Sequence, residues 1–185
     1  EADGENTALS RALTVTIALF GGQGASAEAE ITSAADVVAS VGSTAALTAV
    51  GAAVNVTATG RNEADGIANG GDPDMTPDED ADDAPGISVG LFSLQVMLPK
   101  ATINGAVVAE FDGTLTDGAD DAASLNVEAL GSNDAVASAE MLSISLLGVH
   151  GAQATTEIGS EADIIARMGS TASVANISAF KEKFE

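Results

Sequence analysis

Residues 128–173 read EALGSNDAVASAEMLSISLLGVHGAQATTEIGSEADIIARMGSTAS, and residues 1–46 repeat them without a gap. Displaced by 127 positions, the two segments share 22 identical residues, far above the roughly one in ten that so alanine-rich a chain gives by chance. Most of the remainder is conservative: Val37 and Val38 face Ile164 and Ile165, and Val15 faces Leu142. The marker Ala-x-Gly-x-Asn, at Ala2-Gly4-Asn6 and Ala129-Gly131-Asn133, recurs at Ala58-Gly60-Asn62 and so finds a third copy between them. From asparagine to the apolar anchor takes 11 residues in the outer copies (Asn6 to Ile17, Asn133 to Ile144) but 27 in the middle one (Asn62 to Val89). The middle copy therefore carries a 16-residue insertion, and the underlying repeat is about 55 residues long.

Within each copy the period is two. Leu13, Val15, Ile17 and Leu19 alternate with Thr14, Thr16 and Ala18, which predicts a strand with one of the two sets inward, broken by Gly21, Gly22 and Gly24. Ala25 to Ile31, Ala35 to Val41, Leu47 to Val50 and Val54 to Ala58 continue the pattern, with Gly, Asn and Ser every 8 to 12 residues. Alanine is the best helix former, but β-branched residues at alternate positions and this punctuation argue for short strands. Asn104-Gly105 reads as a tight turn that uses positive φ. The bulky run Leu94 to Leu98, where the other copies have small residues, is expected to seal a wider layer, with a contact patch as the alternative. Strand and turn units of about 11 residues, five per repeat, cannot bury a face alone and must stack. The expected fold is all-β, a parallel β-solenoid of about three repeats (1–56, 57–127 and 128–179) forming a single domain over 1–185. An antiparallel β-sandwich is the rival, though it does not explain three copies in register with a loop in one.

The charge sets limits on partners. Six Lys and Arg against 28 Asp and Glu give a formal net charge of -22, which disfavours nucleic acid and anionic lipid. No apolar run approaches the roughly 18 residues of a membrane helix. The chain opens on Glu1-Ala2-Asp3-Gly4, already inside the repeat, and reads as a processed product or a window on a longer array. Without Cys, Trp or Tyr, and with five Phe, the core must come from Ala, Val, Ile and Leu, which suits thin layers.

Val/Leu-Asn-Val-x-Ala-x-Gly-x-Asn at residues 54–62 and 125–133, followed by strands at 87–91 and 144–148, resembles a repeat of very large secreted bacterial proteins. These are the filamentous, leukotoxin-like and haemagglutinin-like adhesins and exoproteins. The resemblance covers the chain except 63–86 and 180–185, and implies a right-handed parallel β-solenoid, extracellular or on the cell surface, with no catalytic residues. An extracellular structural or adhesive stalk or fibre subunit is thus expected, with self-association end to end into filaments or continuation of a longer chain. Cell-surface or matrix polysaccharide is the partner class to expect.

Candidate sites are few. Residues 70–85 form an acidic surface insertion in which Asp72, Asp74, Asp78, Asp80 and Asp82 alternate, the spacing at which carboxylates face one hard cation, so calcium is the metal to expect. The run is not an EF-hand, since Asp83 stands where the sharp turn needs Gly and Val89 where the bidentate Glu belongs. His150, the one histidine, lies in a glycine turn where the other copies have Gln23 and Gln95, and reads as a polar turn residue. The rival function is a β-helix enzyme acting on polysaccharide, but Arg11, Arg61 and Arg167 occupy unrelated repeat positions and no nucleophile elbow occurs, so no enzyme is expected. Asp36 with Asp163, and Glu30 with Glu157, are expected to form outward carboxylate ladders needing cations or hydroxyls between them. The tail 180–185 is expected either to cap the stack or to belong to whatever follows it.

Overall fold

A computed structural model describes residues 1–68, 86–116, 123–175 and 177–184. These residues are all-β, with no α-helix and a single 3-10 turn at Ser33–Ala35. The first repeat supplies β1 (Ala2–Arg11), β2 (Val15–Ile17), β3 (Phe20–Ala25), β4 (Glu28–Ile31), β5 (Val37–Val41) and β6 (Ala46–Thr48). The second supplies β7 (Ala53–Ala68), β8 (Gly86–Met97), β9 (Lys100–Ile103), β10 (Val107–Phe111) and β11 (Thr114–Thr116). The third supplies β12 (Ala123–Ala139), β13 (Met141–Ala152), β14 (Thr155–Ile158), β15 (Ile164–Met168) and β16 (Ser173–Ala175), and β17 (Ile177–Phe184) follows.

Equivalent strands of successive repeats lie side by side, so five sheets form: β1-β7-β12-β17, β5-β10-β15, β6-β11-β16, β4-β9-β14, and β2 with β3 against β8-β13. Every described pairing is parallel, which an antiparallel sandwich does not accommodate. One repeat is therefore one layer. The register is the one the duplication specifies: Asn6 stands beside Asn62 and Asn62 beside Asn133. The tail does not leave the stack, because β17 runs along β12 as its edge partner.

The long sheet β1-β7-β12 forms one wall and the shorter sheets form the other, and the core lies between them. Val56, Ala58, Val127 and Ala129 meet Val107, Ala109, Phe111 and Leu115, while further along Ala64 meets Ala29, Ile31, Ala101 and Ile103. Alanine dominates because the walls are close. At Gly4, Gly60 and Gly131 they touch: a Cβ on Gly4 would stand 2.6 Å from Val37 Cγ2, and one on Gly131 would stand 3.1 Å from Ile164. A glycine column on one wall thus receives a Val/Ile column from the other.

The marker asparagine is the polar spine of this core. Asn6 donates to Ala35 O (2.8 Å) and to Asn62 Oδ1 (2.9 Å). Asn62, fully buried, donates to Gly105 O (2.9 Å) and to Asn133 Oδ1 (2.8 Å). Asn133 in turn donates to Ala162 O (2.9 Å). Each side chain so ties two walls of its own layer and then its neighbour's asparagine. Asn104-Gly105 is correspondingly not a positive-φ turn: among described residues Gly51 is the positive-φ glycine, at 60°. A Cβ on Gly105 would lie 3.2 Å from Ile31 Cγ2 and 3.4 Å from Asn62 Oδ1, so the position is closely but not prohibitively packed.

The carboxylate ladders do not form, because the middle layer interrupts both. Glu30 and Glu157 flank Thr102, which places a hydroxyl-bearing residue between them. Asp36 accepts a hydrogen bond from Ala106 N (2.8 Å), fixing the corner of the next layer.

Candidate functional site

The alternation around β2 places one set inward, and in the structure that set is the smaller one. Leu13, Val15, Ile17 and Leu19 are 59–80% exposed, while Thr14, Thr16 and Ala18 turn inside. A period of two fixes which residues share a face but not which face is buried. Here the choice is made by a fold-back of the chain. Thr16 Oγ1 hydrogen-bonds Gln23 Oε1 at 2.5 Å, which seven extended residues could not span, so β2 and β3 are two legs of one bent arm. The same bend occurs in each layer, because β8 and β13 run in register with both legs.

Inside the arm the residues are small or polar. Ser88, Ser93 and Gln95 are buried, and Ser93 Oγ lies 3.0 Å from Ser143 Oγ and 3.1 Å from Ser145 Oγ. Gly21 is required by the closeness of the legs, since a Cβ there would lie 2.9 Å from Thr16 Cγ2. The glycines therefore do not end the strand as the sequence suggested; β3 runs through them.

Outside, the arm is apolar. At the bend two consecutive residues point out in every layer: Leu19 and Phe20, Leu91 and Phe92, Leu146 and Leu147. Phe20 and Phe92 stack with ring centroids 5.1 Å apart. Between the ridges lie two shallow grooves, one of about 670 Å³ floored by Ala18, Gly90 and Ser145, the other of about 560 Å³ floored by Gly21, Ser93 and Gly148. The bulky run at 94–98 divides: Met97 is buried in the core, but Leu94, Val96 and Leu98 face out, so the run widens the exposed surface more than it seals a layer. His150 lies in strand β13, exposed, in register with Gln95; it is not in a turn.

One further signal for the arm was present in the sequence. Residues 12–27, 86–99 and 141–156 contain no Asp, Glu, Lys or Arg in a chain of net charge -22.

The basic residues hold layers together. Arg61 pairs with its register partner Glu5 (3.7 Å) and with Glu63 (2.9 Å), Lys100 with Glu28 (3.3 Å), Arg167 with Glu110 (3.1 Å) and Lys183 with Glu128 (3.4 Å). In each case the cation stands beside a glutamate of the adjacent layer. Arg11 is in register with Ile67, a column unrelated to the other two arginines. Among the described residues no group of three or more His, Asp or Glu could hold a metal ion. Asp72, Asp74, Asp78, Asp80 and Asp82, the expected calcium ligands, lie outside the described residues.

On the outer face of the long sheet, burial pushes the Asp65 carboxyl above its ordinary value, and Glu63 and Asp134 push it further, against a lowering by Arg11. A raised carboxyl pKa means that the folded chain holds the proton more tightly than the unfolded one, so stability falls as pH rises through the folded value. Asp65→Asn should accordingly raise Tm by about 1–3 °C at pH 7 and leave it unchanged at pH 3, where both states are protonated. Calorimetry at the two pH values checks this; equal shifts at both would exclude titration as the cause.

No protein-family model, no curated protein and no solved structure matches this chain.

Proposed function

We propose that the chain is a segment of an extracellular, non-catalytic β-solenoid that serves as a stalk or fibre element, each repeat forming one coil. The observation that carries this reading is the engagement of the basic side chains. Arg61, Lys100, Arg167 and Lys183 each bridge to a glutamate of the adjacent layer, which ties their charge to stacking and leaves it unsuited to binding an acidic polymer. Exposed pairs of this kind add little stability, but they favour one register over a slipped one.

The asparagine spine supports growth along the stack. Its donors point toward the following layer and its acceptors toward the preceding one, so an added coil, from the same chain or another copy, extends the pattern without altering it. The rival, a polysaccharide-cleaving β-helix enzyme, needs a cation free to meet a uronate. Incubation with polygalacturonate or alginate is expected to release no new reducing ends; release that is abolished by Arg167→Ala would replace the structural reading with the enzymatic one.

A further inference from the structure

In β12 the side chains of Leu125, Val127 and Ala129 enter the core, so Asn126 and Glu128 share the outer face, and β17 brings Lys183 into register with Glu128. The Glu128 carboxylate contacts both neighbours: Oε1 lies 3.4 Å from Lys183 Nζ, and Oε2 accepts from Asn126 Nδ2 at 3.5 Å. One carboxylate thus stands between a primary amine and a primary carboxamide. We propose that Lys183 and Asn126 condense into an isopeptide bond, with Glu128 as the acid and base of the reaction, so that a covalent cross-link between side chains joins β17 to β12.

Three observations carry it. The first is reach. One strand spacing of about 4.8 Å across and two residues of about 3.3 Å along place the Cα atoms of Asn126 and Lys183 roughly 8 Å apart, a span that the two side chains cover together. The second is shelter. Of the ion pairs above, that of Lys183 has the least exposed cation, at 33% against 42–53% for Lys100, Arg61 and Arg167. Asn126 Oδ1 is shut off from solvent and accepts no hydrogen bond. A buried carbonyl in that state is unsatisfied, and turning the amide over sets it against Glu128 Oε2, where a proton on the carboxyl satisfies and polarises it. The third is contrast with neighbouring sites. In β7 the register partner of Asn126 is Asn55 but that of Glu128 is Thr57, so the preceding layer has the amide without the acid. Lys100 pairs with Glu28, but the residues flanking Glu28 on its face are Ser26 and Glu30, so that site has the amine and the acid without the amide.

The reaction balances without an oxidant or a reductant. Lys183 Nζ gives a proton to Glu128 and attacks Asn126 Cγ, forming the Nζ–Cγ bond. The tetrahedral centre collapses as Cγ–Nδ2 breaks, and Nδ2 leaves as ammonium, carrying two protons that came from Nζ, one of them by way of Glu128, whose carboxylate is restored. Fixing amine and amide on one sheet face supplies the drive, since well-oriented groups reach effective molarities of about 10⁵ M or more. The step runs once and consumes its own residues, so it goes beyond a non-catalytic stalk without contradicting it. The test is intact-mass spectrometry of the whole denatured chain, with peptide mapping of its digest. The parent should weigh less than its sequence by one ammonia and yield a branched peptide linking residues 126 and 183. Glu128→Gln, matched in size, should slow that loss about 100-fold or more, and Lys183→Arg, which keeps the charge but removes the amine, should abolish it. The parent's mass and map decide the proposal by themselves even where a variant fails to fold. A parent of full sequence mass would overturn it, as would ammonia loss that maps to a succinimide at Asn104-Gly105 or to any other pair of residues, or a cross-link that forms at the parent's rate in folded Glu128→Gln.

Discussion

Replacing Asn62 with alanine is expected to cost about 3–5 kcal/mol of folding free energy and to lower Tm by roughly 10 °C. Asn62 is fully buried and lies at the centre of the spine, donating to Gly105 O and Asn133 Oδ1 and accepting from Asn6 Nδ2. Alanine removes all three bonds, leaving Gly105 O without its donor at the buried centre and the half-buried Asn6 and Asn133 with only their bonds to Ala35 O and Ala162 O. Each stranded group costs about 1–3 kcal/mol, and a broken buried network loses more than its separate pairs. Asn62→Asp sharpens the test: it keeps an acceptor for Asn6 but turns carboxylate oxygens toward Gly105 O and Asn133 Oδ1, so it should be at least as damaging although it matches the native side chain in size. Asn6→Ala should cost less, since Asn6 is half-buried and has one neighbouring asparagine in the spine. Urea denaturation of the three variants provides the measurement. A loss under 1 kcal/mol at Asn62 would mean that the spine is an ornament of the packing.

Much of this arrangement is legible in the residues. The displacement that aligns 1–46 with 128–173 is the displacement that brings Val15 and Leu142 into one column, so the duplication by itself specifies the register. Val37, Ala39, Val56, Ala58, Val127 and Ala129 alternate and are buried as the alternation predicts. The asparagine was legible as a marker and not as a cause, because a motif shows that a side chain is needed and not which atoms it reaches. Which face of the arm is buried was not legible, for a more general reason. Alternation is symmetric between inside and outside, and here a bend within eight residues presses the smaller set of one leg against the other. Only the absence of charge distinguished these stretches from their neighbours, and the core strands are also poor in charge. The ion pairs of Arg61 and Arg167 were not legible, because each depends on a register partner that lies more than 50 residues away in sequence.

Phe111→Ala and Phe92→Ala should differ by several kcal/mol although both remove one ring from a strand of the second repeat. Phe111 is fully buried, stands in register between Val41 and Met168, and packs in the cluster that includes Leu115, Leu125 and Val127. Its loss leaves a ring-sized void between walls held apart by neighbouring layers, which cannot collapse, so about 3–5 kcal/mol is expected. Phe92 is 44% exposed and rests on Phe20 at 5.1 Å, a contact worth about 0.5–1.5 kcal/mol. At a dilution where the chain is monomeric, the Phe92 variant should therefore keep a urea midpoint close to the parent's, while the Phe111 variant falls well below it. Equal losses would mean that the arm's outer surface is packed within the chain itself, and the outward placing of its apolar face would be wrong.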